Sequence, residues 1–380
     1  MQDGPVVQQR LRILFLGKRF YTNKDALRER FGRIYQLPWH WAGDGHDVRL
    51  LLVDYHTRES VRLRDGGLDV HSVPFASGAA PAAVASACFR FRPQLVVASG
   101  DCYLGLLAWQ VALLSRARFV FDIYDKYDEF PAYRTPPGLD LFAFLRGRAA
   151  SRFYASRTLR SALADEVDPK SLLVPNGVDA TRFVPLDLQA CRARLQLPAD
   201  SQLVGYFGSM EPVRGVRDLV DAVGQLRRRG AKLKLLVCGK DHAEVDLTQD
   251  WTIYRGLVPH DEIPHYVNAC DVVALPYRQS ALLDNSSSCK IAEYIACGRP
   301  LVSTRTPNFL ENFGAQAGAL GEALCAPDDP QDLARAIGWQ LREKRTVAAN
   351  PDWDWAAIAR AALRGAMGWA APRGQTASAS

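Results

Sequence analysis

At 380 residues the chain is longer than one hydrophobic core sustains, which favours two α/β domains of about 150 to 200 residues with a cleft between them. With 48% apolar and 23% charged residues it is neither disordered, fibrous nor disulfide-stapled; no apolar run approaches the roughly 18 residues of a membrane span, and MQDGPVVQQR has no signal-peptide pattern, so a cytoplasmic protein is expected. The formal charge of +6 lies wholly within residues 1–175, the remainder summing to zero.

Short apolar runs alternating with helical stretches predict parallel β/α units. In the first set the strands are Ile13 to Leu16, Val48 to Val53, Leu68 to Val73, Leu95 to Ala98, Phe119 to Ile123, Phe153 to Ala155 and Leu172 to Val174. The loop after the first strand offers Gly17 for close backbone approach, while Lys18 and Arg19 either bind an anionic acceptor or are ordinary loop charges. His40 and His46 read as a helix face and a turn residue, because no carboxylate or cysteine cluster accompanies them. Between Leu141 and Arg160, five arginines (Arg146, Arg148, Arg152, Arg157, Arg160) interleave with Phe142, Phe144, Leu145 and Phe153. That mixture suits peripheral association with an anionic membrane, or equally a solvated face beside a core helix. No helix-turn-helix or RNA-recognition signature accompanies it, so nucleic acid is not an expected partner.

A polar stretch near Asn176 to Asp200 separates a second set of strands: Leu203 to Phe207, Leu233 to Val237, Thr252 to Tyr254, Val272 to Leu275 and Leu301 to Thr304. Its first strand runs into Gly208-Ser209-Met210-Glu211-Pro212-Val213-Arg214-Gly215 and then a helix. Such a turn brings backbone N–H groups and a helix N-terminus to a phosphate, with Arg214 adding charge, or else is simply tight. Further on, Asp284-Asn285-Ser286-Ser287-Ser288 precedes a helix with Lys290 in its first turn and Glu293 one turn later. The serines either cap that helix or leave its N–H groups to a diphosphate, and a cation for phosphate then stands near a carboxylate for ribose. Eight scattered cysteines, without a C-x-x-C pair or a histidine at ligand spacing, read as reduced core thiols, and no metal site is expected.

Val174-Pro175-Asn176-Gly177-Val178-Asp179, followed by Phe183 and Pro185, resembles the "PNGVD...F.P" segment of the retaining GT-B glycosyltransferases of family 4. The Gly208–Gly215 turn resembles that family's first phosphate loop, Lys290 to Pro300 its "K..EY.A.G.P" donor helix, and Trp353-Asp354-Trp355 the start of its closing helix. The resemblance implies an α/β GT-B fold of two Rossmann-like domains. The first, residues 1–178, binds the acceptor and the second, 179–352, a nucleotide sugar; a closing helix, 353–370, packs back on the first domain before a disordered tail, 371–380.

The same resemblance implies that Glu293 holds donor ribose, that Arg214 and Lys290 balance the leaving diphosphate, and that the turn Arg255 to Val258, with Leu257, flanks the base. Gly17, Gly208, Ser287 and Ser288 complete the implied donor site, with retention of configuration and no bound metal or cofactor. Two positions depart from the pattern: Ser209 replaces the usual phosphate-loop arginine, and Asn285 the first carboxylate of the paired-glutamate motif. The histidine many relatives carry after the fifth strand is also absent, since none lies between His71 and His242; Asp125 or Asp128 either faces the transferred sugar or the acceptor hydroxyl there or belongs to a solvated acidic loop. The implied activity is transfer of a hexose to a glycan or lipid-linked acceptor in polysaccharide or glycolipid assembly. A nucleotide-sugar epimerase, a phosphorylase and a non-catalytic nucleotide-sugar binder are the alternatives.

Overall fold

The computed structural model describes residues 9–21, 24–75, 77, 79–130 and 133–369; the expected tail at 371–380 lies outside them. The chain forms two compact units. One holds the chain up to Ala155, Leu163–Pro175 and everything from Trp355 onward; the other holds Ser156–Ala162 and Asn176–Asp354. The division differs from a single cut at 178, because Arg157–Ala162 is a short helix belonging to the second unit although its neighbours on both sides belong to the first.

The first unit is built on an eight-stranded sheet. Its strands are β1 (Arg12–Lys18), β2 (Asp47–Asp54), β3 (Val61–Asp65), β4 (Leu68–Pro74), β5 (Leu95–Ser99), β6 (Arg118–Ile123), β7 (Ser151–Tyr154) and β8 (Ser171–Leu173), in the spatial order β8-β7-β6-β5-β1-β2-β4-β3. Ile13, Phe15 and Leu16 in β1 and all five residues of β5 are buried, as strands covered on both faces require. Only β3 runs antiparallel to its neighbour, Val61 lying opposite Ser72. Its sequence, VRLRD, alternates polar with apolar residues and was not legible as an apolar run. Helix α1 (Arg33–Gly43) buries Ile34, Leu37 and Trp41, and the last helix (Trp355–Met367) packs in the same unit, where Trp41 Nε1 donates to Ala359 O at 2.7 Å.

In the second unit a six-stranded sheet contains β9 (Gln202–Phe207), β10 (Leu233–Cys238), β11 (Thr252–Tyr254), β12 (Val272–Leu275), β13 (Leu301–Thr304) and β14 (Leu324–Cys325). Their order, β11-β10-β9-β12-β13-β14, is that of a Rossmann sheet. The two-residue β14 was too short for the sequence to reveal. Because the order reverses between β9 and β12, the connections leaving those strands diverge, and their carboxyl ends open the crevice in which such sheets bind ligands.

Candidate functional site

In the second unit, Gly208 follows β9 with φ +152°, a conformation that L side chains rarely adopt. A Cβ there would lie 2.0 Å from Lys290 Cε, so the lysine stem crosses the glycine directly. Gly239, after β10, is as constrained, since its Cβ would stand 1.9 Å from Gly208 O. Gly215 has φ +66° and no room for a side chain against Pro276 O at 1.8 Å, and it opens helix α2 (Val216–Arg228) without a side-chain cap. Three glycines thus let three loops converge where β9, β10 and β12 end.

Charge gathers there. Arg214 lies over the Tyr277 ring, 5.0 Å from its centroid, and its Nε is buried without a hydrogen bond although Glu211 Oε2 is 3.4 Å away. That separation is an ion pair without hydrogen-bond geometry. Ser209 Oγ donates to Glu211 Oε2 at 2.7 Å, so the residue in the usual arginine position orients a carboxylate instead. Burial pushes the Glu211 carboxyl up, but the Ser209 hydroxyl, Arg214 and Lys290 together hold it below its ordinary value. Tyr277, buried beneath these groups, behaves alike: burial raises its phenol, while Lys290, Arg214 and the bond to Ser288 outweigh that and lower it. Among the described residues no carboxylate pairs with Lys290.

The donor helix is α3 (Cys289–Ala296). Ser288 precedes it in extended conformation but makes no side-chain cap, its Oγ turning 3.1 Å to Tyr277 OH. The Ser288 hydroxyl therefore does not cap the helix start, which lies beside the Lys290 ammonium. Ser287 is engaged otherwise: its Oγ accepts from Asn176 N at 3.1 Å and its carbonyl from Asn176 Nδ2 at 2.8 Å. Asn285 presents its carbonyl to Ser156 Oγ at 2.7 Å, and Asn308, 1% exposed, donates to Leu283 O and Ser286 O. The serine-rich loop is thus held from behind by three asparagine and serine side chains. Segment 174–185 is explained similarly, since Pro185 Cγ would touch a Cβ on Gly298 at 3.3 Å and Val178 N donates to Trp353 O at 2.8 Å.

Glu293, 7% exposed, meets His260 Nε2 at 3.1 Å. His260 in turn lies 5.6 Å from the Phe183 ring. Leu257 is 75% exposed in the turn after β11, where Gly239 N donates to Gly256 O at 2.7 Å. Of the expected donor-site residues, Gly208, Ser209, Arg214, Ser288, Lys290 and Glu293 converge, while Ser287 and Asn285 brace their loop. Glu211, Tyr277 and His260 were missed. They come from three separate loops, and only the strand order brings those loops together.

Gly17 is in the first unit, where a Cβ would press Ile34 Cγ2 at 2.5 Å, so strand–helix packing already accounts for the glycine. The reading of Lys18 and Arg19 as acceptor cations is corrected by their partners. Lys18 pairs with Asp101 at 3.0 Å, and Arg19, 2% exposed, bridges Asp25 and Asp54 at 3.0 Å each. Deeper still, Arg33 and Asp122, both fully buried, form a bidentate pair that Ser99 Oγ joins at 2.6 Å. Asp125 is half-buried; burial raises its carboxyl above the ordinary value despite the Lys126 N–H that it accepts at 2.9 Å. Asp128 is exposed and lines an open depression with Tyr133, Pro137 and Asp140. Within the arginine cluster, Arg152 is 5% exposed and paired with Asp165 and Asp168, so this side chain is spent internally.

The cysteines match the reading of core thiols: seven of eight are buried, and burial pushes Cys238, Cys297 and Cys325 up to about 12. Among the described residues no group of three or more His, Cys, Asp or Glu side chains could hold a metal ion. None of their helices is long and apolar enough to cross a membrane.

Comparison with known proteins places these observations in a family. Residues 33–185 match the model of the glycosyl transferase 4-like domain, and residues 201–343 that of the glycosyl transferases group 1. A D-inositol 3-phosphate glycosyltransferase from Kineococcus radiotolerans is 31% identical over 232 residues, covering 54% of this chain and 50% of the relative. The chain spans about half the length of the curated relatives it matches. Among solved structures, a sucrose-phosphate synthase from Thermosynechococcus elongatus superposes with a TM-score of 0.71 at 19% identity, covering 93% of this chain and 98% of that one. HepE from Anabaena, solved with UDP and glucose, gives 0.62 at 17% identity, with 93% and 95% covered. Two adjoining family models that together take in most of the chain, and two Rossmann-like units, establish that it belongs to the group 1 glycosyltransferases and has the GT-B fold.

Proposed function

We propose that the protein transfers a hexose, with retention at the anomeric carbon, from a nucleotide-diphosphate sugar to a glycan or lipid-linked acceptor in polysaccharide or glycolipid assembly. One observation carries the proposal: the Lys290 ammonium, without a carboxylate partner among the described residues, crosses Gly208 beside the start of α3, which the Ser288 hydroxyl does not cap, with Arg214 over Tyr277 nearby. Cations and N–H groups so placed stabilise a leaving diphosphate, where charge grows as the glycosidic bond stretches towards an oxocarbenium-like transition state. HepE, solved with UDP and glucose on a similar fold, supports a nucleotide sugar as the donor. Glu293 binds the ribose hydroxyls, with His260 holding the carboxylate until they arrive. Leu257 covers the base. On the first unit, Asp125 and Asp128 remain the candidates for the acceptor hydroxyl. No metal or cofactor takes part, and the protein works in the cytoplasm, as a peripheral partner of an anionic membrane.

The test begins with thermal stabilisation by a panel of nucleoside diphosphates and their sugars, because a ligand of the folded state alone adds about 2.7 kcal/mol at a hundred times its Kd. A base-selective rise that Lys290→Ala abolishes, followed by donor-dependent glycosylation, is the expected result. Selective binding without turnover on any acceptor would leave a binding protein instead. Conversion of donor alone would indicate an epimerase.

A further inference from the structure

We infer that the amino edge of the first unit's sheet is a docking surface for an anionic lipid bilayer. The inference rests on the membrane association proposed above and gives it a location that takes only Arg148 from the arginine cluster at 141–160, where Arg152 is already neutralised.

Four adjacent parallel strands, β7, β6, β5 and β1, start at this edge, and exposed arginines stand at or just before each start. Arg148 precedes β7, Arg116 and Arg118 flank the start of β6, Arg90 and Arg92 precede β5, and Arg12 begins β1. The parallel register forces them together: Arg118 N donates to Gln94 O at 3.0 Å, and Arg12 Nε to Arg92 O at 2.8 Å. Among the described residues no carboxylate pairs with Arg90, Arg92, Arg116 or Arg118. Of the acids that flank the edge, Asp44 is engaged by Arg360, Asp69 by Arg49, and Asp165 and Asp168 by Arg152, while Glu166 is exposed and Asp47 lies opposite Arg12 in the register.

Large apolar side chains stand in the same field of charge. Leu113 and Leu114 are 65% and 69% exposed at the end of the helix Cys102–Ser115, whose buried face uses Leu104, Ala108, Val111 and Ala112 instead. Phe89, 72% exposed, lies in the segment Ala87–Phe91, which packs against that helix. Exposed leucine and phenylalanine among unpaired arginines fit an interface in which the apolar groups enter the acyl boundary and the guanidinium groups meet lipid phosphates. A nucleic acid would satisfy the arginines but leave the leucines in water. A second copy of the chain on this face would oppose like charges.

The experiment is sedimentation of the full chain with vesicles of phosphatidylglycerol and phosphatidylcholine, and with phosphatidylcholine alone. Binding is expected only to the anionic vesicles. Arg116→Gln combined with Arg118→Gln should weaken it about thirtyfold, from the contribution of each basic residue near an anionic surface. The pair Arg116→Lys and Arg118→Lys should retain it, and Leu113→Ser with Leu114→Ser should lower it at unchanged Tm, since both leucines are exposed. Equal partitioning of the Gln and Ser variants with the parent would overturn the inference, as would binding of duplex DNA in place of vesicles or an arginine-dependent dimer. Since vesicle binding needs neither donor nor acceptor, its absence with donor-dependent transfer intact removes this surface and leaves the transferase reading standing.

Discussion

At the carboxyl edge of β1 in the first unit, Lys18 meets Asp101 and Arg19 meets Asp25 and Asp54; at the carboxyl edge of β9 in the second, Lys290 lies over Gly208 with no carboxylate partner among the described residues. Both edges belong to mainly parallel sheets with crossover helices, and both gather cations, yet one neutralises its charge and the other leaves it available. Sheet topology therefore decides where a ligand can lie, and side-chain pairing decides whether an anion is wanted there. The first unit's cations act as internal struts, whereas the second unit's are poised for phosphate.

The largest effect should come from breaking a strut. Arg33→Met strands Asp122, fully buried and hydrogen-bonded to Ser99, and removal of one partner of such a pair costs about 3–5 kcal/mol. The first unit's unfolding transition in urea should move by that amount while nucleotide affinity, carried by the second unit, holds. An unmoved transition would break the comparison at its first half.

Next in size is Lys290→Ala. Loss of one donor aimed at developing charge typically lowers kcat by about 10²–10³-fold. Initial rates of nucleoside diphosphate release should fall within that range, and Lys18→Ala in the first unit should leave nucleotide affinity alone. Equal losses of affinity from both lysines would show that pairing with Asp101 does not silence Lys18.

Glu293→Ala sharpens the second half further. A hydrogen bond to a charged group contributes about 1.5–3 kcal/mol, so nucleotide Kd should rise roughly ten- to a hundredfold, read by calorimetry. A 2′-deoxynucleotide should lose less affinity from the same substitution, because the carboxylate would then be missing one hydroxyl partner already.

What the sequence disclosed follows the same division. Lys290 and Glu293 are three residues apart on one helix, and Gly208 and Arg214 belong to one turn, so local spacing was enough to propose them together. His260, which holds Glu293, is 33 positions away, and Tyr277 reaches Ser288 from the end of another strand. Such partners follow from strand order, which no local pattern contains. Arg33 and Asp122 are 89 residues apart, and an aspartate inside the apolar run Phe119 to Ile123 was the one available sign that a buried cation must face it. Lys18 and Arg19 stayed open between an acceptor site and loop charges for the converse reason: their charge was visible, but Asp101 and Asp54 were not visibly adjacent.

The smallest effect tests the acidic loop of the first unit, where no cation among the described residues pairs with Asp125. Burial raises its carboxyl, Glu129 adds to the rise, and the Lys126 N–H opposes it. The folded state therefore keeps this proton at a pH where the unfolded chain has released it, so stability falls as pH rises from the ordinary carboxylate value through the raised one. Above that window the penalty persists in full. Asp125→Asn removes it and can still accept from Lys126 N, so Tm should rise slightly at neutral pH and match the parent in acid. The accompanying activity decides the role. Transfer that drops while nucleotide affinity and Tm do not would mark a carboxylate kept at a cost in stability for the acceptor hydroxyl, as active sites often do. Transfer unchanged alongside the higher Tm would make Asp125 a loop charge, and Asp128, exposed beside the depression lined by Tyr133 and Asp140, would be the remaining carboxylate to test.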